Sequence, residues 1–347
     1  MTGGAATPGA GTVVVGAGIA GLACARALEG AGRPPVVFER ARGVGGRCAT
    51  RRVSGQPVDH GAAFLHGSDE GFLAAIREVA GATLLDGWPR RIDGVGPPCL
   101  PKVFEPFERR LAYADGLTAF PKRLALGLNV RLETPVAALS AASAGILVHT
   151  DAGASTWAPS VVLAVPPPTA LKLLLPLAGE GREAAAVGAL LGMIGSQACL
   201  TALAGYPLDV IRPSWDICYP DDSAIVQAIS HDSTKRAAPR FVVFVVQARP
   251  CWSRVHLEES ENAWVAELIQ EAARVVGPWA GRPSWVQAHR WRFARSDRGS
   301  EMSRPLALRV RGGGRVLVTG ESFAPGGGIE AAWLAGNASA RRLIEEE

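Results

Sequence analysis

At 347 residues, with 48% hydrophobic side chains, the chain can bury a sizeable core, and wholesale disorder is excluded. The net charge of +4 is small and dispersed; only four of the 36 basic residues are lysines (Lys102, Lys122, Lys172, Lys235), and no Lys/Arg block suggests a nucleic-acid surface. Residues 187–208 carry no charge, but Gly192, Gly195, Gln197 and Pro207 interrupt them, so they read as core rather than as a membrane span.

The first element is the most specific. Residues 13–21 read Val-Val-Val-Gly-Ala-Gly-Ile-Ala-Gly, the pattern of a strand, a tight turn and a helix that receives a pyrophosphate. Gly16 permits the turn, Gly18 admits the phosphates, and Gly21 lets helix and strand lie close. The N–H groups of Ile19 and Ala20 open the helix at its positive end. Glu39 closes a second strand, residues 35–38, where its carboxylate can accept from a ribose diol and disfavours a 2′-phosphate. Directly after it, Arg40 leads into Gly45-Gly46-Arg47, a second close backbone approach followed by a forked donor for a diphosphate or flavin edge.

Further along, residues 71–81 predict a helix with Phe72, Ile76 and Val79 on one stripe, and the Pro- and Gly-rich residues 86–106 a long loop on the substrate side. A helix is expected over 116–127, then strands over 130–139, 146–150 and 160–165, the last ended by Pro166–Pro168. Residues 198–203 and 241–246 read as buried strands, and 258–276 as an amphipathic helix with Trp264, Leu268, Ala272 and Val275 inward. A strand over 315–320 and a helix from about 328 to 342 complete the chain. Six cysteines without CxxC or metal-like spacing read as free thiols in a reducing cytoplasm, with no metal site. Residues 1–11 lack the basic region of a signal peptide.

Residues 43–52 and 58–63 resemble the start of the renalase-like FAD oxidoreductases, relatives of the flavin amine oxidases. Residues 232–235, 247–253 and 289–293 match further segments of that family, and residues 318–321 with 328–336 resemble its terminal flavin-binding strand and helix. The resemblance implies an α/β fold: a Rossmann-like FAD-binding domain of the glutathione-reductase/p-hydroxybenzoate-hydroxylase type with an inserted mixed-sheet substrate domain. It places residues 12–70, 116–170 and 287–347 in the FAD-binding domain, and 71–115 and 171–286 in the substrate domain.

The same resemblance implies non-covalent FAD, with cofactor contacts at Gly16, Gly18, Ile19, Ala20, Gly21, Glu39, Arg40, Gly46, Arg47, Gly61, Ala62, Ala63, Phe64, Val136 (backbone to the adenine), Gly320, Glu321, Gly328, Ile329 and Ala332. The glycines opening the last helix would aim its dipole at the negative charge of reduced flavin.

For substrate, His66-Gly67 resembles the His-Gly pair of polyamine oxidases, and Trp291 is a cavity wall candidate. Lys235, in a polar turn, matches a renalase-like segment rather than the lysine that holds water in amine oxidases. Ala63 stands where the renalase-like family commonly has glutamine, which bears on substrate class. The implied reaction is hydride transfer from a dihydronicotinamide-like or other small donor to flavin, with O2 as acceptor giving H2O2. A polyamine-like amine oxidase and a catalytically silent FAD-binding sensor or scaffold are the alternatives. A cytoplasmic monomer or homodimer without membrane or nucleic-acid partners is expected.

Overall fold

The computed structural model describes residues 11–94 and 107–346. Much of the loop expected over 86–106 therefore lies outside the described residues, as do residues 1–10. The chain divides into two compact units, Met1–Gly46 with Phe120–Ser196 and Ser296–Glu347, and Arg47–Ala119 with Gln197–Arg295.

The first unit is built on a six-stranded sheet in the order Leu306–Arg309, Arg315–Val318, Ser160–Leu163, Thr12–Val15, Val36–Phe38, Asn129–Arg131. All neighbours are parallel except the Leu306–Arg309 edge. Strands Thr12–Val15 and Ser160–Leu163 are buried throughout, as their unbroken apolar runs require when both faces of a parallel sheet are covered. Helices Ile19–Gly30 and Gly328–Glu345 cross closely. A Cβ on Gly336 would stand 2.2 Å from the Ala20 carbonyl oxygen, so only glycine allows the approach. A three-stranded antiparallel sheet, Val136–Ala142, Gly145–Thr150 and Ser155–Ala158, completes the unit.

The second unit carries a mixed six-stranded sheet in the order Trp285–Ser296, Ser196–Tyr206, Val242–Ala248, Val226–His231, Ile217–Cys218, Ile92–Asp93. Side chains alternate along Val242–Ala248. Val242, Phe244 and Val246 meet Trp264, Leu268, Ile269 and Ala272 of helix Glu261–Val276. Val243 and Val245 meet Val53 and Val58 of the hairpin Thr50–Val53/Gln56–Asp59. A small sheet orders Leu65–Gly67, Arg109–Tyr113 and Leu84–Asp86.

Several expectations shift. The stretch 130–139 is two strands of different sheets, parted at Glu133 (φ 51°). Pro166–Pro168 end a strand and also start helix Pro167–Leu174, proline being suited to a first turn. The predicted 71–81 helix is Glu70–Arg77, opened by the Asp69 carboxylate, which accepts from Phe72 N at 2.8 Å.

The compact units also differ from the expected boundaries. Residues 47–70 join the second unit because Val53 and Val58 pack on Leu203, Val243 and Val245. Residues 171–196 join the first because Leu173, Leu174, Ala184, Val187 and Leu191 enter the core with Ile146, Leu308 and Val310.

Candidate functional site

The glycine turn of the first unit is shaped by steric need. Gly16 has φ +103°, and a Cβ there would lie 2.5 Å from Ala164 O. On Gly21 it would lie 1.9 Å from Gly16 O. On Gly18 it would meet nothing within 4 Å, so the space above the turn is open. The helix that follows has no side-chain cap, which leaves its positive end to an external anion. Glu39, 8% exposed, reaches the turn: its Oε2 accepts from Ala17 N at 2.7 Å and its Oε1 from Ala41 N at 2.8 Å. Gly45 N donates to Ala17 O at 2.8 Å, and Gly45 bridges to Gly18, so the second glycine pair closes on the first. An open glycine step, an uncapped helix and an adjoining carboxylate fit a ribose-diphosphate.

The last helix offers a second such end. Gly326, Gly327 and Gly328 all have positive φ, and helix Gly328–Glu345 has no side-chain cap. Glu321 is buried just before it and accepts from Ser296 N at 2.9 Å. Ile329 lies in the first turn of that helix, and Ala332 is buried within it. Val136 begins its strand at a register break, while Arg40 is exposed.

In the second unit the expected residues Gly61, Ala62, Ala63, Phe64 and His66 fall on one segment, with Arg47 and Trp291 bonded to its neighbourhood from elsewhere in the chain. His60, Gly61 and Ala63 turn their carbonyls to side chains from distant parts of the chain: Trp291 Nε1 donates to His60 O at 3.1 Å, Gln247 Nε2 to Gly61 O at 2.7 Å and Lys235 Nζ to Ala63 O at 2.9 Å. Ala62 N donates to Arg47 O at 2.9 Å, and Arg47 Nη1 to Ala294 O at 3.3 Å. A Cβ on Gly61 would lie 2.1 Å from Arg47 O and 3.2 Å from Trp291.

Two groups flank this segment. Trp291 packs with His289 (4.1 Å between centroids) and His60 (5.6 Å). Burial pushes both histidines down to about 4, so both are neutral near pH 7. His66 belongs to the other group, with Phe64 and, through Phe64, Trp88. Its Nδ1 lies 3.3 Å from the buried Glu108 carboxylate.

Lys235 lies in no open polar turn. Its side chain is fully buried, with Nζ 2.6 Å from Asp59 and 2.7 Å from Asp232, and 4.6 Å from the Trp88 ring centroid. Arg236 bonds the same two carboxylates at 3.0 and 2.7 Å. Burial pushes the Asp59 carboxyl up, but Lys235 and Arg236 outweigh it and hold it at about 2. Asp59, Asp232, Arg236, Trp88 and Glu108 were not singled out from the sequence. The signal for two of them was present: Asp232 and Arg236 lie, with Lys235, between two apolar strands, where unpaired charge would be costly.

A family of flavin containing amine oxidoreductases matches residues 99–344, and an NAD(P)-binding Rossmann-like domain matches residues 14–78. The chain belongs to the flavin containing amine oxidoreductase family. Its cofactor is FAD, in keeping with the open glycine turn and Glu39. Among curated relatives, a putative flavin-containing monoamine oxidase, AofH, of Mycobacterium tuberculosis is 48% identical over 67 residues, 19% of this chain and 15% of that protein. The probable polyamine oxidase 4 of Arabidopsis thaliana is 48% identical over 73 residues, 21% of this chain and 15% of the relative. These matches thus span well under a fifth of either relative's length. The cyclohexylamine oxidase of Brevibacterium oxydans superposes with a TM-score of 0.73 over 98% of this chain and 99% of that one, at 14% identity, and shares the fold. Among the described residues no helix of this family member is long and apolar enough to cross a membrane.

Proposed function

We propose that this protein is an FAD-dependent oxidase of small amines. A hydride and a proton leave the donor's carbon and nitrogen, and dioxygen accepts both to give an imine and hydrogen peroxide. FAD, when bound, supplies the two-electron acceptor.

The chain's own residues do the rest. Gly18, Ile19, Ala20 and Gly21 hold the diphosphate, with Gly46 closing on them, and Glu39 holds the adenosine ribose. Val136 meets the adenine through its backbone. Gly320, Glu321, Gly328, Ile329 and Ala332 hold the flavin end, and Gly61, Ala62, Ala63 and Phe64 border the reacting face. The observation that carries the amine reading is the His66–Glu108 pair beside Phe64 and Trp88. A buried carboxylate held to an imidazole attracts a protonated amine, and the aromatic rings cover its apolar body. The family match and the amine oxidases among the relatives support it.

A second reading, oxidation of a dihydronicotinamide by a renalase-like reaction, is favoured by one observation. Lys235 is bound to two carboxylates and is not free to hold a water or move a proton. A donor that is already a hydride carrier needs no such group.

Anaerobic mixing of the flavin-loaded protein with each donor decides. Bleaching of the visible flavin band by amines and not by dihydronicotinamides is the expected result, and the reverse establishes the second reading. No bleaching by either class points to a flavin-binding protein without turnover.

A further inference from the structure

We infer that Lys235 and Gln247 are positioning residues for the reaction: by holding the carbonyls of Ala63 and Gly61 they aim the backbone of residues 60–63, and with it Phe64 and His66. The inference rests on the reading that this segment borders the flavin and the donor.

The geometry separates this segment from an ordinary strand. The strand Gln56–Asp59 before it and Leu65–Gly67 after it are paired in ladders. Between them, the carbonyls of His60, Gly61 and Ala63 are held by side chains, from residues 231, 186 and 172 positions away. A ladder fixes a strand through many equivalent bonds and tolerates side-chain change. Here each carbonyl has one named partner, so a side-chain change alters the backbone directly.

Lys235 is in turn fixed. Its Nζ donates to Asp59 at 2.6 Å and to Ala63 O at 2.9 Å, and the Asp232 carboxylate stands 2.7 Å away as an ion pair. Asp59 is also anchored, accepting from Thr50 Oγ1 at 2.6 Å and Leu117 N at 2.8 Å. Arg236 extends the frame to the carbonyls of Tyr113 and Ala114, each at 3.0 Å, at the end of the strand Arg109–Tyr113 that pairs with Leu65–Gly67.

Stability alone does not explain the arrangement. Two cations and two carboxylates withdrawn from water gain little over well-packed apolar side chains of the same size. What apolar side chains cannot do is point a particular carbonyl in a particular direction. Gln247, half-buried near the end of a central strand, does the same without any charge, so the two tests are independent.

The test uses the flavin-loaded full chain with Lys235→Met and, separately, Gln247→Met. Three quantities are read: the flavin visible spectrum and circular dichroism, the limiting rate of anaerobic reduction with its apparent Kd for an amine, and Tm. Both variants are expected to retain FAD, to change the flavin circular dichroism, and to lower the limiting rate by about tenfold or more, since small misplacements near reacting atoms are costly. Gln247→Met is expected to do so with little change in Tm. Wild-type spectra and rates in both variants, with only Tm lowered, overturn the inference. If Lys235→Met yields no folded protein, Gln247→Met decides by the same criterion. Should no amine reduce the wild type, the amine reading falls, and the circular dichroism of the variants still decides the positioning role.

Discussion

The glycine turn of the first unit and the 60–63 segment of the second both prepare a backbone for a ligand, by opposite means. At residues 16–21 side chains are missing where they would obstruct, and the turn is held by neighbours such as Phe38, whose carbonyl accepts from Gly16 N at 2.7 Å. At residues 60–63 side chains are supplied from far along the chain. The first device is local and steric, and a single added methyl group breaks it. The second is long-range and rests on side-chain hydrogen bonds, and it fails when one donor is lost. A chain can therefore retain the cofactor while its reacting face is altered, but not the reverse.

The most direct way to break the contrast is at Gly21. Gly21→Ala is expected to abolish FAD retention and lower Tm sharply, because the new Cβ would stand 1.9 Å from Gly16 O; the flavin-to-protein ratio after gel filtration measures it. A Gly21→Ala protein that keeps its flavin would show that the turn can yield. In the second unit, Asp59→Leu should cost roughly 3–5 kcal/mol, since Lys235 and Arg236 would then face Asp232 alone. Urea unfolding of the flavin-free protein reads this loss, and adding Lys235→Met to the same chain should recover part of it.

Gly18→Ala sharpens the comparison. Its Cβ meets no protein atom within 4 Å, so the flavin-free Tm should hold. FAD affinity should fall by about 10- to 100-fold, or 1.4–2.8 kcal/mol, if the phosphates occupy that space. Titration of the flavin-free protein with FAD checks it.

Acid should affect the second unit through its histidines. His60, His231 and His289 are pushed by burial to about 4, below the 6.5 of a free imidazole. Between those values the unfolded chain binds more protons than the folded one, so stability is full above pH 6.5 and declines as the pH falls towards 4. Calorimetric Tm against pH should show that slope, and His289→Gln should flatten it. The smallest effect is expected at Arg292→Ala: its pairing with Glu258 lies in solvent and is screened by water, so both Tm and donor oxidation should stay unchanged.

The difference between the regions also decides what could be read in advance. The fingerprint, Glu39, the central strand Val242–Ala248 and the helix Glu261–Val276 were legible because spacing and periodicity are local properties of the chain. The part of residues 318–321 and of the glycine-opened last helix came from family resemblance, not from spacing or periodicity. The Asp59–Lys235 pairing was not legible: charges at 232, 235 and 236 between two apolar strands hint at burial, but the partner Asp59 lies 176 residues away. Glu108 as the partner of His66 was hidden for the same reason.

By itself, the amino-acid sequence determined that the chain folds α/β around a dinucleotide turn, since where a Cβ cannot fit is decided within a few residues. Tertiary structure alone decided which charges are buried together and which distant side chains hold residues 60–63, because electrostatic pairing depends on distances that only the packed sheets create.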